Sequence, residues 1–358
     1  MTRFLLRRLA LAIPVLLGIL LVTFALGRSI PGDPCRAILG EKATEATCND
    51  FISRYGYDQP IATQFLLYIE RFFRGDLGDS LRFGRPVTSL LAERMPITIE
   101  LAITALFLAV IVGVPLGVLS AYRHNSAIDV GTMIGANIGV SMPVFWLGLM
   151  LAFIFGVILK DTPFALPPSG RLTAGANYTP FYTAWGIATS EETAGSVLIF
   201  LSRFNFINAL FTFNGTQFID ALRHIILPAI AVGTIPLSII ARITRASVLE
   251  ILGQDYVRTA RSKGLTERRV VLYHAVSNAL LPVVTIIGLN FGALIAGAVL
   301  TETIFGFAGI GKTLFEGITA RDYSLVQGVT LTTAVAFLII NLAVDILYGY
   351  LDPRIRLS

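Results

Sequence analysis

Apolar residues in this chain come in long unbroken runs, not in the alternation of a half-buried strand, and six of the runs are long enough to cross a bilayer. They extend from Leu9 to Ile30, Thr98 to Tyr122, Met133 to Leu159, Ala221 to Ile243, Ala279 to Leu300 and Leu325 to Tyr350. A helix needs about 20 residues at 1.5 Å rise to span the hydrocarbon. Membrane barrels are built instead from segments of roughly ten alternating residues, a pattern that does not recur here. The reading is therefore an all-α membrane protein with six transmembrane helices. About 65 polar residues separate the first two runs and about 60 separate the third and fourth, so these two large loops are expected to be structured or occupied. In the first loop, Ile61, Phe65, Leu66, Ile69, Phe72 and Phe73 recur at helical spacing, which predicts an amphipathic helix lying on the membrane surface or on the bundle.

Composition agrees, with 54% hydrophobic and 14% charged residues and a mean hydropathy of +0.73, against about 25% charged residues in soluble domains. Arg3, Arg7 and Arg8 precede the first run as a signal peptide's basic region would. The apolar segment exceeds the usual 7 to 15 residues of a signal core and no A-x-A site follows, so it is read as a span. Basic residues in short loops set orientation. With the N-terminus inside, segments 1–8, 122–132, 244–278 and 351–358 place Arg3, Arg7, Arg8, Arg123, Arg245, Arg258, Arg261, Lys263, Arg268, Arg269, Arg354 and Arg356 on the cytoplasmic side. The opposite orientation leaves only Lys312 and Arg321 in a short inside loop, so N-in/C-in is expected. The chain then divides into a first helix with its external loop (1–97), a membrane core (98–350) with an external insert at about 160–220 and a cytoplasmic loop at about 253–278, and a short cytoplasmic tail (351–358).

One motif competes with this reading. Gly306-Phe-Ala-Gly-Ile-Gly-Lys-Thr313 satisfies the phosphate-cradling pattern G-x-x-x-x-G-K-[ST] without a mismatch. Such a loop must join a buried strand to a helix within an α/β domain, whereas this one follows a membrane helix and falls on the external side. Gly306, Gly309 and Gly311 are expected to form a tight, flexible re-entrant turn, with no nucleotide bound.

Other chemistry is sparse. His124, His224 and His274 are scattered with no i, i+4 partner or carboxylate spaced for a metal, and no nucleophile constellation appears, so neither catalysis, metal nor cofactor is expected. Cys35 and Cys48 share the first external loop, where an oxidising compartment permits a disulfide; their pairing is left open. Asp345 shares a face with Asn341 inside the sixth span, either as a functional intramembrane carboxylate or paired with a basic group near the cytoplasmic end. Glu100, at the outer end of the second span, is expected to reach water and is assigned no role.

The informative cytoplasmic stretch is Gly253-Gln-Asp-Tyr-Val-Arg-Thr-Ala-Arg-Ser-Lys-Gly-Leu-Thr-Glu-Arg-Arg269 and its continuation to Pro282. Gly264 is a natural C′ stop and Thr266 an N-cap, giving helix, turn, helix. Tyr256, Ala260 and Leu265 set small and apolar groups among the charges, as an exposed docking surface would, although a plain solvated basic loop has the same composition. This segment resembles the EAA loop of ABC-importer permeases, in the form found in the dipeptide and oligopeptide subfamily, and the likeness is greatest to the permease subunit of dipeptide transporters. It continues in Phe4-Leu-Leu-Arg-Arg8, Pro31-Gly-Asp-Pro34, Gly75-Asp-Leu-Gly-Asp-Ser80, Ser141-Met-Pro-Val-Phe-Trp146, Leu227-Pro228, Arg242 to Gly253, Thr301-Glu-Thr-Ile-Phe305, Arg321-Asp-Tyr323 and Asp352-Pro-Arg-Ile-Arg356. Arg258-Thr-Ala260 departs from the generic Glu-Ala-Ala in the way usual for the peptide subfamily.

The resemblance implies a type I ABC-importer permease fold in a bacterial or archaeal cytoplasmic membrane. It also implies a homologous second permease, two ATP-binding ATPase subunits and an external peptide-binding protein as partners, beside membrane lipid and without nucleic acid. Arg258, Thr259, Ala260, Gly264 and Leu265 then align with the coupling helix that docks on the ATPase, and the first external loop becomes a candidate surface for the binding protein. The cargo implied is dipeptides or short peptides, with glutathione, nickel chelates or oligosaccharides as alternatives within the subfamily. A stand-alone channel or secondary transporter is the rival of another class, for which the chain shows neither mid-membrane charges nor an inverted repeat.

Overall fold

The computed structural model describes residues 2–29, 35, 43–55 and 58–351, so Pro31-Gly-Asp-Pro34 and Asp352-Pro-Arg-Ile-Arg356 lie outside the described residues. Helix α1 (Thr2–Ser29) leads through α2 (Glu45–Tyr55) and α3 (Ile61–Phe73) to a two-residue hairpin, β1 (Asp79–Ser80) with β2 (Arg85–Pro86), and into the long α4 (Val87–Tyr122). Then come α5 (Ala127–Ser141), α6 (Val144–Phe153), the short α7 (Phe181–Ala184), α8 (Ser196–Ser202) and α9 (Asn205–Phe211), and α10 (Gly215–Leu252). The chain closes with α11 (Asp255–Ser262), α12 (Glu267–Arg269), α13 (Ser277–Gly297), α14 (Val299–Ile304), α15 (Ile310–Thr319) and α16 (Tyr323–Leu351).

Among the described residues four helices are long and apolar enough to cross a membrane, and a bent pair brings the number to five; α1 adds a shorter apolar stretch, Ala10–Ala25. The third apolar run is not the single helix that its length predicts. It breaks at Met142-Pro143, where α5 and α6 meet at 99°. Proline lacks the N–H that would continue α5 and pushes the preceding residue out of the helical region, and Met142 and Pro143 are both extended, with ψ of 127° and 128°. The second and fourth runs are longer as helices than as apolar stretches, because α4 begins before its run and α10 continues beyond its run at both ends.

The core forms where α4 crosses α10. Ala105, Ala109, Gly113 and Gly117 recur every four residues along one face of α4, so the two backbones can touch. A Cβ on Gly113 would lie 2.9 Å from the Leu237 carbonyl, one on Gly117 2.5 Å from that of Ala241, and one on Gly233 2.9 Å from that of Ala105. Without a hydrophobic drive between helices in lipid, such contact supplies the dispersion that holds them. The C-terminal parts of α4 and α10 are pinned by Asp129, buried on α5, which takes a two-pronged ion pair from Arg245 at 2.6 and 2.7 Å and a hydrogen bond from the Ser120 hydroxyl.

The 160–220 insert is structured, as its length requires. Phe181, Trp185 and Phe211 stack with centroids 5.3–6.0 Å apart. Glu100 holds this insert to α4 and is buried, contrary to the expected access to water. Its carboxylate accepts from Arg171 at 2.6 Å and from the Phe206 amide at 2.9 Å. Asp345 pairs with Arg8 at 3.0 Å, tying α16 to α1 as one of the two readings expected. The amphipathic helix forms as α3: Phe65 and Tyr68 pack on Phe24 of α1, while Ile61, Leu66 and Phe73 point away and are about two-thirds or more exposed.

Candidate functional site

The loop between α10 and α13 is built around a glycine stop. Helix α11 ends at Ser262, and Gly264 takes φ +80°, which lets the Gly264 amide bond back to the Arg261 carbonyl (2.9 Å) and the Leu265 amide to that of Ala260 (3.4 Å). This paired return satisfies the carbonyls left free at a helix end and turns the chain sharply. Thr266 does start the next helix, but its side chain makes no capping bond. Arg261 then spans the turn to Glu267 at 2.7 and 3.1 Å, fixing the angle between the two helices. Beyond Arg269 the backbone widens into a π-helix over Val270–Val276 before α13 begins.

Burial revises which residues face outward. Val257 and Ala260 on α11 pack with Val270, Ile251, Leu252 and Leu265 in a small core of the chain's own. Leu265 is half-buried and Ala260 buried, so neither offers the exposed apolar contact expected from the sequence. The outward face of α11 consists of Asp255, Tyr256, Arg258, Thr259 and Ser262, continued by Lys263 and Gly264. Tyr256 also anchors the helix, since its hydroxyl accepts from Asn278 at 3.1 Å and lies 3.4 Å from the His274 carbonyl. Arg258 and Asp255 sit 3.5 Å apart at an exposed site, a pair that contributes little to stability. The arrangement can present a rigid, basic, hydrogen-bonding ridge to another protein.

The G-x-x-x-x-G-K-T stretch has the opposite character. It is preceded by helix α14, not by a strand, and an internal carboxylate occupies the position an anion would take. Glu302, fully buried, accepts from the Lys312 amide at 2.9 Å, from the Gly311 amide and from the Thr98 hydroxyl, and Thr98 in turn accepts from the Ile310 amide at 2.8 Å. Gly309 and Gly311 leave no room for a side chain, the first because of Glu302 and Thr98, the second because a Cβ would lie 2.7 Å from the Val299 nitrogen. The turn is thus closely packed, not the flexible one expected. Burial raises the Glu302 carboxyl to about 7 despite its donors. Two further groups brace this region. Arg94 reaches Thr313 at 2.8 Å and Glu316 at 3.1 Å, and the buried Asp322 accepts from Ser80 at 2.6 Å and from the Arg82 amide at 3.1 Å. Sequence reasoning assigned no role to Glu302, Asp322 or Asp129; Asp129, between Ile128 and Val130, gave a readable signal, whereas Glu302 stands between threonines and Asp322 between Arg321 and Tyr323.

Of the histidines, His224 does have a carboxylate one turn earlier, Asp220 at 3.2 Å, contrary to the expectation from spacing. Asp220 is already engaged by Thr173 and Tyr178, and no cluster of three metal-ligating side chains occurs among the described residues. Cys35 and Cys48 are joined in a disulfide with their Cα atoms 5.3 Å apart.

A family model described as a binding-protein-dependent transport system inner membrane component matches residues 113–357, and one for the N-terminal part of such components matches residues 1–102. The chain belongs to this family. It is 44% identical to the dipeptide transport system permease protein DppB of Escherichia coli K12 over 358 residues, 99% of both chains. It is 43% identical to the di/tripeptide transport system permease protein DppB of Pseudomonas aeruginosa UCBPP-PA14 over 99% of both chains. With the oligopeptide transport system permease protein AppB of Bacillus subtilis 168 it shares 35% over 99% of this chain and all of the relative. As a binding-protein-dependent inner membrane component with permeases as its relatives, the chain is a membrane permease subunit.

Proposed function

We propose that the chain is the six-span, N-in/C-in permease subunit of an ATP-driven importer of dipeptides or short peptides. The observation that carries the cargo is the full-length likeness to three permeases named for dipeptide, di/tripeptide and oligopeptide transport. Alpha helices α1, α4, the broken α5–α6 pair, α10, α13 and α16 supply the six crossings in this reading. A homologous second permease completes the path, two ATPases bind the cytoplasmic side, and an external peptide-binding protein delivers cargo at the cytoplasmic membrane. ATP-driven closure of the ATPases moves α11, and the movement passes through Tyr256, the Arg261–Glu267 pair and the core around Val257 into α10 and α13. Arg258, Thr259 and Gly264 lie on the docking face, while Ala260 and Leu265 support it from within. The test is co-purification and reconstitution with the partner subunits in vesicles: the ATPases should co-purify, and a labelled dipeptide should accumulate only with ATP. Accumulation driven by an ion gradient in the absence of any ATPase would overturn the proposal in favour of a secondary transporter.

A further inference from the structure

The broken α5–α6 pair opens a groove of about 580 Å³ lined by Asn137, Ser141, Met142, Phe145 and Trp146 among others. Its polar rim leads to a cation. Arg242 of α10 donates to the Asn137 side-chain oxygen at 3.2 Å, and among the described residues it forms no ion pair. One turn further on, Arg245 is neutralised by Asp129, so the two arginines differ in kind. Asn137 lies eleven residues beyond the Ser126 cap of α5, about 16 Å along the helix, and Arg242 stands at the end of the apolar run Ala221 to Ile243, less than one turn before Arg245. A guanidinium beside an apolar groove gains from an anionic partner, and a neutral amide oxygen satisfies only one of its five donors. In the groove that Asn137 lines, Phe145 and Trp146 are each 45% exposed, and Met142 supplies an adaptable wall.

We infer that this groove is a subsite on the translocation path for the C-terminal carboxylate of a peptide, with Arg242 pairing the carboxylate and Met142, Phe145 and Trp146 receiving the adjacent side chain. The inference rests on the peptide reading above. The pairing suits transport, because the carboxylate is present in every peptide whatever its side chains, and an apolar, deformable wall accepts many of them. Asn137 acts as a positioning residue that holds the guanidinium at the rim between passages.

The test uses the whole reconstituted transporter with its binding protein. A dipeptide carrying a benzophenone side chain is photolysed in the trapped complex, and labelled residues are mapped. Label is expected on the binding protein and at Met142 or its neighbours. Arg242→Gln should lower the Met142 label roughly tenfold while leaving that on the binding protein unchanged, and Arg242→Lys should recover part of it. Uptake of the free acid should fall about as much in Arg242→Gln, and uptake of the C-terminal amide, where it is taken up, should not. An unlabelled binding protein would overturn the peptide reading itself. A labelled binding protein with no label at the groove, equal loss of acid and amide uptake, or loss of the second permease from purified Arg242→Gln complexes would each overturn the subsite and leave the peptide reading standing.

Discussion

Two glycine-containing turns of this permease make an instructive pair. The turn at Gly264, cytoplasmic in the proposed topology, and the one at Gly306 to Gly311, external in it, both follow short helices, and both have glycine at positive φ, +80° and +68°. Around Gly264 there is open space; no atom lies within 4 Å of where a Cβ would be. Around Gly309 and Gly311 the space is filled by Glu302 and the Val299 backbone. Glycine is thus required for conformation alone at Gly264, and at the other turn for conformation at Gly306 and for volume at Gly309 and Gly311. A turn in open space can be held in one shape and still be presented to a partner, whereas a turn built over a buried carboxylate is a joint within the fold.

The largest effect is expected at the filled turn. Gly311→Ala places a methyl 2.7 Å from a backbone nitrogen that no side-chain rotation can relieve, and its displacement would also strip donors from Glu302. A cost of about 3 kcal/mol or more is expected, seen as low yield and a lowered melting temperature in detergent. A normal melting temperature would show that α14 and α15 can separate, and the comparison would fail.

Gly264→Val should act differently, through φ alone. The left-handed conformation costs a residue with a Cβ about 1–2 kcal/mol and a β-branched one more, confined to a turn that the spans do not share. Expression and melting should change little, while substrate-stimulated ATPase activity and uptake in vesicles should fall severalfold together. Full activity with normal pull-down of the ATPases would reduce this segment to a solvated basic loop.

A smaller effect concerns pH at the external turn alone. The carboxyl of Glu302 is raised from 4.5 to about 7 by burial, so between those values the folded protein holds a proton that the unfolded chain has lost. Its contribution is therefore favourable below that window and is lost as pH rises through about 7. The melting temperature should drop between pH 6 and pH 8 by more in the wild type than in Glu302→Gln, and equal drops would show that Glu302 stays ionised throughout. The cytoplasmic turn contains no such group and its protease sensitivity should not follow this titration.

The smallest effect belongs to Lys312→Ala, which should leave ATP hydrolysis of the assembled transporter unchanged. Lys312 contributes its backbone amide, not its side chain, to the Glu302 site. A large loss of hydrolysis would reopen the phosphate-loop reading of the motif.

The apolar runs by themselves predicted helices in every one of the six places, because covering a helix's backbone in lipid needs only length and composition, both local properties. The stop at Gly264 was legible for the same reason: a helix end is a local event, and the residue that tolerates positive φ announces it. The charge pattern likewise singled out the basic loop. Tertiary structure decided the rest. That Ala260 and Leu265 turn inward depends on Val270, which the chain brings back only after the turn. That Glu100 is buried depends on Arg171 and Phe206, 71 and 106 residues away. That the glycine-rich motif is filled depends on Thr98 and Glu302, which meet across 204 residues. Burial and pairing are properties of positions in space, so a sequence reading that correctly sees a carboxylate or a glycine cannot tell which neighbour will desolvate it. The break at Met142-Pro143 lies between these cases: proline made a bend foreseeable, but its 99° angle and the groove it opens beside Arg242 were set by packing against α10.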